Sequence, residues 1–195
     1  MKNEWEKIYS SKSKRHKNEW PNEELVGFIN RTYFLKKNKS NIKILELGCG
    51  WGNNLFFLKK NKFDYYGLEQ STHAFRFLKE NFKNVFCYNF SKMNFNDNYF
   101  DCVIDRQSMQ HNSLEEIKNT ISEVRRVLKK GGLFYSHLIS FNNYKEKTTY
   151  LTKKQIYKLF GNYDIKSITE VSKKQITNKK SSLTHKYYIV IVQKL

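Results

Sequence analysis

The stretch ILELGCGWGNN at residues 44–54 constrains the fold more than any other part of this 195-residue chain. Its apolar residues up to Leu47 read as a buried strand, and Gly48, Gly50 and Gly52 follow at two-residue spacing. Glycines there let the backbone turn sharply and leave no Cβ in the way of a close neighbour. The residues from 52 to 61 read as a helix whose free N–H groups face whatever lies above the strand tip. Such a run can also be a structural turn. Glu69 adds context: it stands 21 residues beyond Gly48, at the end of the next short strand, DYYGL at 64–68. An acid at that distance is placed to accept hydrogen bonds from ribose hydroxyls, although a helix-start acid serving the next helix dipole would sit there too. Together the two features predict a nucleoside-binding crevice.

The rest of the chain alternates in the same way. Asn22 is placed to cap a helix with Leu25, Val26, Phe28, Ile29 and Tyr33 at its apolar positions. A helix at about 72–82 and a third strand at 84–88 follow, then a fourth strand, FDCVID, at 100–105. Ser113 and Glu116 form a capping-box pattern before a helix at about 113–129, which Gly131 and Gly132 are expected to end. A fifth strand at 132–139, a helix at 152–160 and strands at about 163–171 and 184–193 complete the pattern. The last two strands join through KKQITNKKSS, with no room for a helix, which predicts an antiparallel edge hairpin. The expected fold is α/β: a doubly wound, mostly parallel seven-stranded sheet with that hairpin at its C-terminal edge. One domain spans 1–195, divided into an N-terminal lid or helical segment (1–36), a cofactor-binding core (42–140) and a C-terminal helix with the hairpin (141–195).

Several function classes are weakened by composition. No apolar run reaches the roughly 18 residues of a membrane span. MKNEWEKIYS lacks a signal peptide's apolar core, and Cys49, Cys87 and Cys102 lack metal-ligand spacing, so reduced thiols in a cytoplasmic protein are expected and no metal site. The net charge of +18 raises nucleic acid as a partner. It is not favoured, because 30 of the 36 basic residues are Lys and only 6 carry the Arg fork suited to bases and phosphates. The charge also accompanies 21 Asn, as an AT-rich coding bias would produce. Its densest run, KSKRHK at 12–17, reads as an exposed loop.

Four blocks in order, ELGCGWGN (46–53), YGLEQS (66–71), NFNDNYFDCVID (94–105) and EVRRVLKKGGLF (123–134), resemble the class I S-adenosylmethionine-dependent methyltransferases. The resemblance implies a Rossmann-like fold and S-adenosyl-L-methionine as cofactor. By motif position it places Glu46, Gly48, Cys49, Gly50, Gly52 and Asn53 around the cofactor's amino-acid end, and Glu69 with Gln70 at the ribose. The adenine-reading acid of the family falls at Asn89, which keeps one acceptor oxygen. Phe90 beside it either packs on the adenine or belongs to the core. The loop after the fourth strand, DRQSMQHN at 105–112, then borders the methyl group. His111 and Asp105 are the base candidates for a hydroxyl acceptor, and Asp105 also counts as a cofactor contact. Each has a plainer reading: His111 as a loop residue capping the next helix, Asp105 as the partner of Arg106, itself counted in the catalytic group. His137 is a weaker candidate. Trp5 and Tyr9, four apart on one face of a helix, either cover the cofactor as a lid or pack against the sheet.

The WEKIYSS start, the WPNEELVGFINR helix and the IDRQSMQHN block look like a bacterial subgroup encoded near surface-polysaccharide genes. That implies a small-molecule acceptor, a sugar or sugar-linked compound. The alternatives are an RNA or protein methyltransferase using the basic surface, and a non-catalytic cofactor binder. The N-P-P-Y signature of amide and base amino methylation is absent, since DRQS follows the fourth strand.

Overall fold

The computed structural model describes residues 2–11, 19–142, 148–176 and 182–195. The basic run at 12–17 and the middle of the last connection, 177–181, lie outside the described residues. Helix α1 is Lys2–Ser11 and α2 is Glu23–Tyr33. Then β1 (Lys43–Leu47), α3 (Asn53–Lys60), β2 (Asp64–Leu68), α4 (Thr72–Asn81), β3 (Val85–Phe86), β4 (Phe100–Arg106), α5 (Leu114–Val127), β5 (Leu128–Asn142), α6 (Lys153–Leu159), β6 (Asp164–Ile176) and β7 (Ser182–Gln193) alternate. One seven-stranded sheet runs in the order β3-β2-β1-β4-β5-β7-β6.

Only β7 is reversed. It lies antiparallel between β5 and β6, while every other neighbouring pair is parallel. The expected edge hairpin is present as β6 and β7. The strand order reverses at β1, which has β2 on one side and β4 on the other. Ligands of such sheets bind at the carboxyl ends of the strands where the order reverses.

Period-two alternation splits each central strand between two cores. Leu45, Leu47 and Val103 face α5 and α6, packed with Ile117, Ile121, Val124, Ile156 and Phe160. Ile44, Cys102 and Ile104 face α2, α3 and α4, packed with Leu25, Phe28, Leu55 and Leu78. An eight-residue helix such as α3 is not stable alone. It is held by Leu55 and Leu58, both fully buried, each worth roughly 1.5–3 kcal/mol.

The caps read from sequence form as expected. Asn22 accepts from the Leu25 N–H, and Ser113 and Glu116 make both bonds of the capping box. Several boundaries differ, β5 and β6 running on to Asn142 and Ile176, and two of the differences have a clear cause. The third strand shrinks from 84–88 to Val85–Phe86, because only Gly67 and Leu68 of β2 remain to pair with it. Helix α5 ends at Val127, where Leu128 turns extended, before the two glycines. They fall inside β5 instead: Gly131 takes φ +76 in a register shift opposite Phe100–Cys102.

Candidate active site

The first turn above β1 is a left-handed one. Gly48 and Gly50 sit at φ +60 and +57, where an L side chain is strained. A Cβ on Gly48 would also meet Ser108 Cβ at 2.4 Å. The Gly50 N–H donates to Glu69 Oε2 at 2.8 Å, and the Ser71 N–H donates to Oε1 at 2.8 Å. Glu69 therefore braces the glycine loop from β2. Its burial pushes the carboxyl pKa up against the lowering effect of those bonds.

Glu46, one turn below, is buried and on the same sheet face as Ile104. Oε1 accepts from Asn54 Nδ2 at 2.6 Å, and Asn54 Oδ1 in turn accepts the Asn22 N–H at 2.9 Å. Oε2 is buried with no hydrogen-bond partner. Burial raises the pKa to about 8, with Asn54 and Arg106 pulling the other way.

The tip of β4 sends successive side chains to opposite faces. Asp105 turns inward, fully buried, and accepts from the N–H groups of Ser108 and Met109 at 3.0 Å each and from Ser136 Oγ at 2.8 Å. The Ser108 hydroxyl also contacts it, 2.8 Å from the Leu47 carbonyl. Asp105 thus fastens the post-β4 loop to β1 and β5. Arg106 turns outward to the other face, so the two form no pair. His111 ends a 3-10 turn, Met109–His111, with its ring edge-on to Trp5 at 4.9 Å.

Helix α1 lies over this opening. Tyr9 packs edge-on against Trp51 at 5.3 Å, and its hydroxyl is 2.9 Å from where a Gly50 Cβ would be. Glu6 pins the helix to the start of α4: it accepts from Thr72 Oγ1 at 2.6 Å, the His73 N–H at 3.2 Å and Ser71 Oγ at 3.1 Å. Partial burial pushes the Glu6 pKa up, but these bonds outweigh it and hold it at about 2. The cleft below α1 has a volume of about 730 Å³.

Of the residues singled out in the sequence, the cleft brings together Trp5, Tyr9, Glu46, Gly48, Cys49, Gly50, Asn53, Glu69, Gln70, Phe90, Arg106 and His111. Gly52 is placed just behind, as the left-handed N-cap of α3. Asn89 is exposed off the cleft wall, its side-chain oxygen accepting the Ser91 N–H at 2.9 Å. His137 is buried on β5, between β4 and β7, 2.7 Å from Tyr135 Oη and stacked on Tyr187. Burial and the nearby Arg106 lower its pKa to about 4, so it is neutral at pH 7.

Residues 45–136 match the family model described as a methyltransferase domain. The chain is a methyltransferase. Its methyl donor is S-adenosyl-L-methionine. Solved structures share the fold. One, reported for the conversion of a disulfide bond into a thioacetal group during echinomycin biosynthesis, aligns with TM-score 0.75 at 14% identity over 100% of this chain and 93% of its own. An S-adenosylmethionine-dependent methyltransferase from Methanosarcina mazei aligns at 0.63 and 20% identity, covering 78% and 92%. Geranyl diphosphate C-methyltransferase from Streptomyces coelicolor A3(2), solved with S-adenosyl-L-homocysteine, aligns at 0.65 and 13% identity, covering 89% and 78%. No curated protein matches the sequence significantly.

The residues of this methyltransferase fit its cofactor. The orphaned Glu46 Oε2 needs a donor such as an amino group, since a buried acceptor left unpaired is costly. No helix among the described residues is long and apolar enough to cross a membrane, and none of their side chains cluster as a metal site. Several cleft residues were not singled out in the sequence: Trp20, Asn54, Gln107, Gln110 and His185. Gln107 and Gln110 stand in the post-β4 loop and Asn54 closes the glycine block, so their positions hinted at it. His185 comes from β7, far along the chain.

Proposed function

We propose that the enzyme O-methylates a small hydroxyl-bearing acceptor, a sugar or a surface-glycan precursor. The observation that carries this reading is the size and roofing of the cleft. At about 730 Å³ it lies within the roughly 300–1,000 Å³ of small-ligand sites. With a cofactor inside, the space remaining under α1 suits a small acceptor better than a folded partner. The echinomycin and geranyl diphosphate neighbours, which are described with small molecules, support it.

In this reading residues 1–195 work as one domain: 1–36 supply the lid, 42–140 hold the cofactor and 141–195 complete the acceptor side. Glu46 and the Gly48–Gly50 turn hold the cofactor's amino-acid end, Glu69 its ribose, and Phe90 packs on the adenine. The bound cofactor supplies an electrophilic methyl group on a sulfonium. Trp5 and Tyr9 exclude water from it and fix the approach of the acceptor. His111, half-buried at the cleft wall, takes the acceptor hydroxyl's proton on a ring nitrogen. Asp105 keeps the loop that presents His111 in place.

The test is a panel of sugars and nucleotide sugars with methyl-labelled cofactor, run beside RNA and protein substrates. Label on a sugar hydroxyl is expected. Label on RNA or protein alone would overturn the acceptor assignment.

A further inference from the structure

We propose that the acceptor carries an anionic group, a phosphate or a carboxylate, bound by the Arg106 guanidinium beside the Gln107–His185 pair. This rests on the reading that a small acceptor enters the cleft opposite the cofactor.

Arg106 is exposed, lines the cleft and makes no hydrogen bond or ion pair among the described residues. Arg126 shows the contrast: its guanidinium is filled by Glu123, Asp97 and the carbonyls of Met93 and Phe95. The acids nearest Arg106's wall already have partners. Glu23 and Glu24 bind Lys173 at 3.4 and 2.9 Å, and Glu24 also accepts from Tyr187 Oη. Glu46 Oε1 is held by Asn54, and Oε2, although within electrostatic reach of Arg106, makes no ion pair with it. An open guanidinium fork in a cleft, paired with none of these acids, is suited to a bidentate anion from outside the protein.

The neighbouring backbone is held in an uncommon state to make this corner. Gln107 sits at φ +60, a left-handed state that is unfavourable for a non-glycine residue. The Gln107 amide meets His185 Nε2 at 2.9 Å, tying the post-β4 loop to β7. Both side chains line the cleft with Arg106. The hairpin that extends the sheet therefore completes a polar, cationic corner around Arg106.

The test uses the intact protein saturated with S-adenosyl-L-homocysteine and titrated with inorganic pyrophosphate and, separately, glucuronate. At least one should bind at a single site, and which one binds tells phosphate from carboxylate. Arg106→Gln should weaken that binding about tenfold or more, while the affinity for S-adenosyl-L-homocysteine stays within about twofold. Lys60→Gln, which removes an equal charge at the far end of α3, should leave anion binding unchanged. Equal losses in both variants would reduce the effect to general surface charge and overturn the proposal. So would absence of binding by both anions, or a loss confined to the cofactor product, which would assign Arg106 to the cofactor's own carboxylate. Anion binding is read without turnover, so it can fail while sugars are still methylated, and it can hold where they are not.

Discussion

The two walls of the cleft are built by different means. The cofactor wall is made from the tips of adjacent parallel strands, so Glu46, Gly48, Gly50 and Glu69 come from a span of 24 residues, and hydrogen bonds between their own loops fix them. The wall proposed for the acceptor is assembled from distant parts of the chain: α1, the Met109–His111 turn and β7 contribute Trp5, His111 and His185. The first wall is rigid and generic. The second is where a new acceptor can be accommodated by changing a few side chains, because none of them carries the central sheet. The walls therefore differ in what a mutation should do: damage to one costs affinity and stability, damage to the other costs turnover.

The largest expected effect tests that division directly. His111→Ala should lower kcat by about 10²–10⁴-fold and leave affinity for S-adenosyl-L-homocysteine nearly intact, read by turnover and calorimetry in parallel. A comparable fall in cofactor affinity would merge the walls into one unit. On the other side, Gly48→Ala forces a Cβ to 2.4 Å from that of Ser108 at φ +60. It should cost about 2–4 kcal/mol of stability by urea unfolding, from backbone strain plus overpacking. A wild-type unfolding midpoint there would mean that the loop can move without loss, and the contrast in rigidity would fall.

The same division explains what the sequence revealed. The cofactor wall was legible because its constraints are local: glycines for positive φ and an acid at the end of the next strand leave a fixed spacing. The helix starts were legible through Asn22 and Ser113, whose side chains act within one turn. Gly131 misled, since a glycine that permits a bulge in β5 looks the same in sequence as one that ends α5. His185 carried no signal because it reaches the cleft through the Gln107 contact, 78 residues apart. Asp105 and Arg106 looked like a pair by proximity, yet strand alternation sends them to opposite faces.

Glu69→Ala sharpens the picture of the first wall. The carboxylate holds the Gly50 and Ser71 N–H groups, so its loss should lower stability by about 1–3 kcal/mol. It should weaken cofactor binding by a similar amount if the same group also grips the ribose. A loss of stability with unchanged affinity would confine Glu69 to bracing the loop.

The smallest effect lies at the seam, where Glu6 ties the roof of the proposed acceptor wall to α4, which begins three residues after Glu69. A carboxylate at a helix start gains from the free N–H groups and the dipole, about 0.3–1 kcal/mol when exposed. Glu6→Gln keeps an acceptor oxygen but removes the charge, so a loss in that range is expected, with faster hydrogen exchange in α1. The folded pKa of about 2 lies below the ordinary 4.5, so the unfolded chain takes up the proton first. The stabilisation is then full above pH 4.5 and disappears as pH falls through about 2. The wild type and Glu6→Gln should accordingly differ in α1 exchange at pH 7 and converge toward pH 2. If α1 exchanges equally in the two at pH 7, the roof is held by Trp5 and Tyr9 alone, and the acceptor wall does not depend on its neighbour for its position.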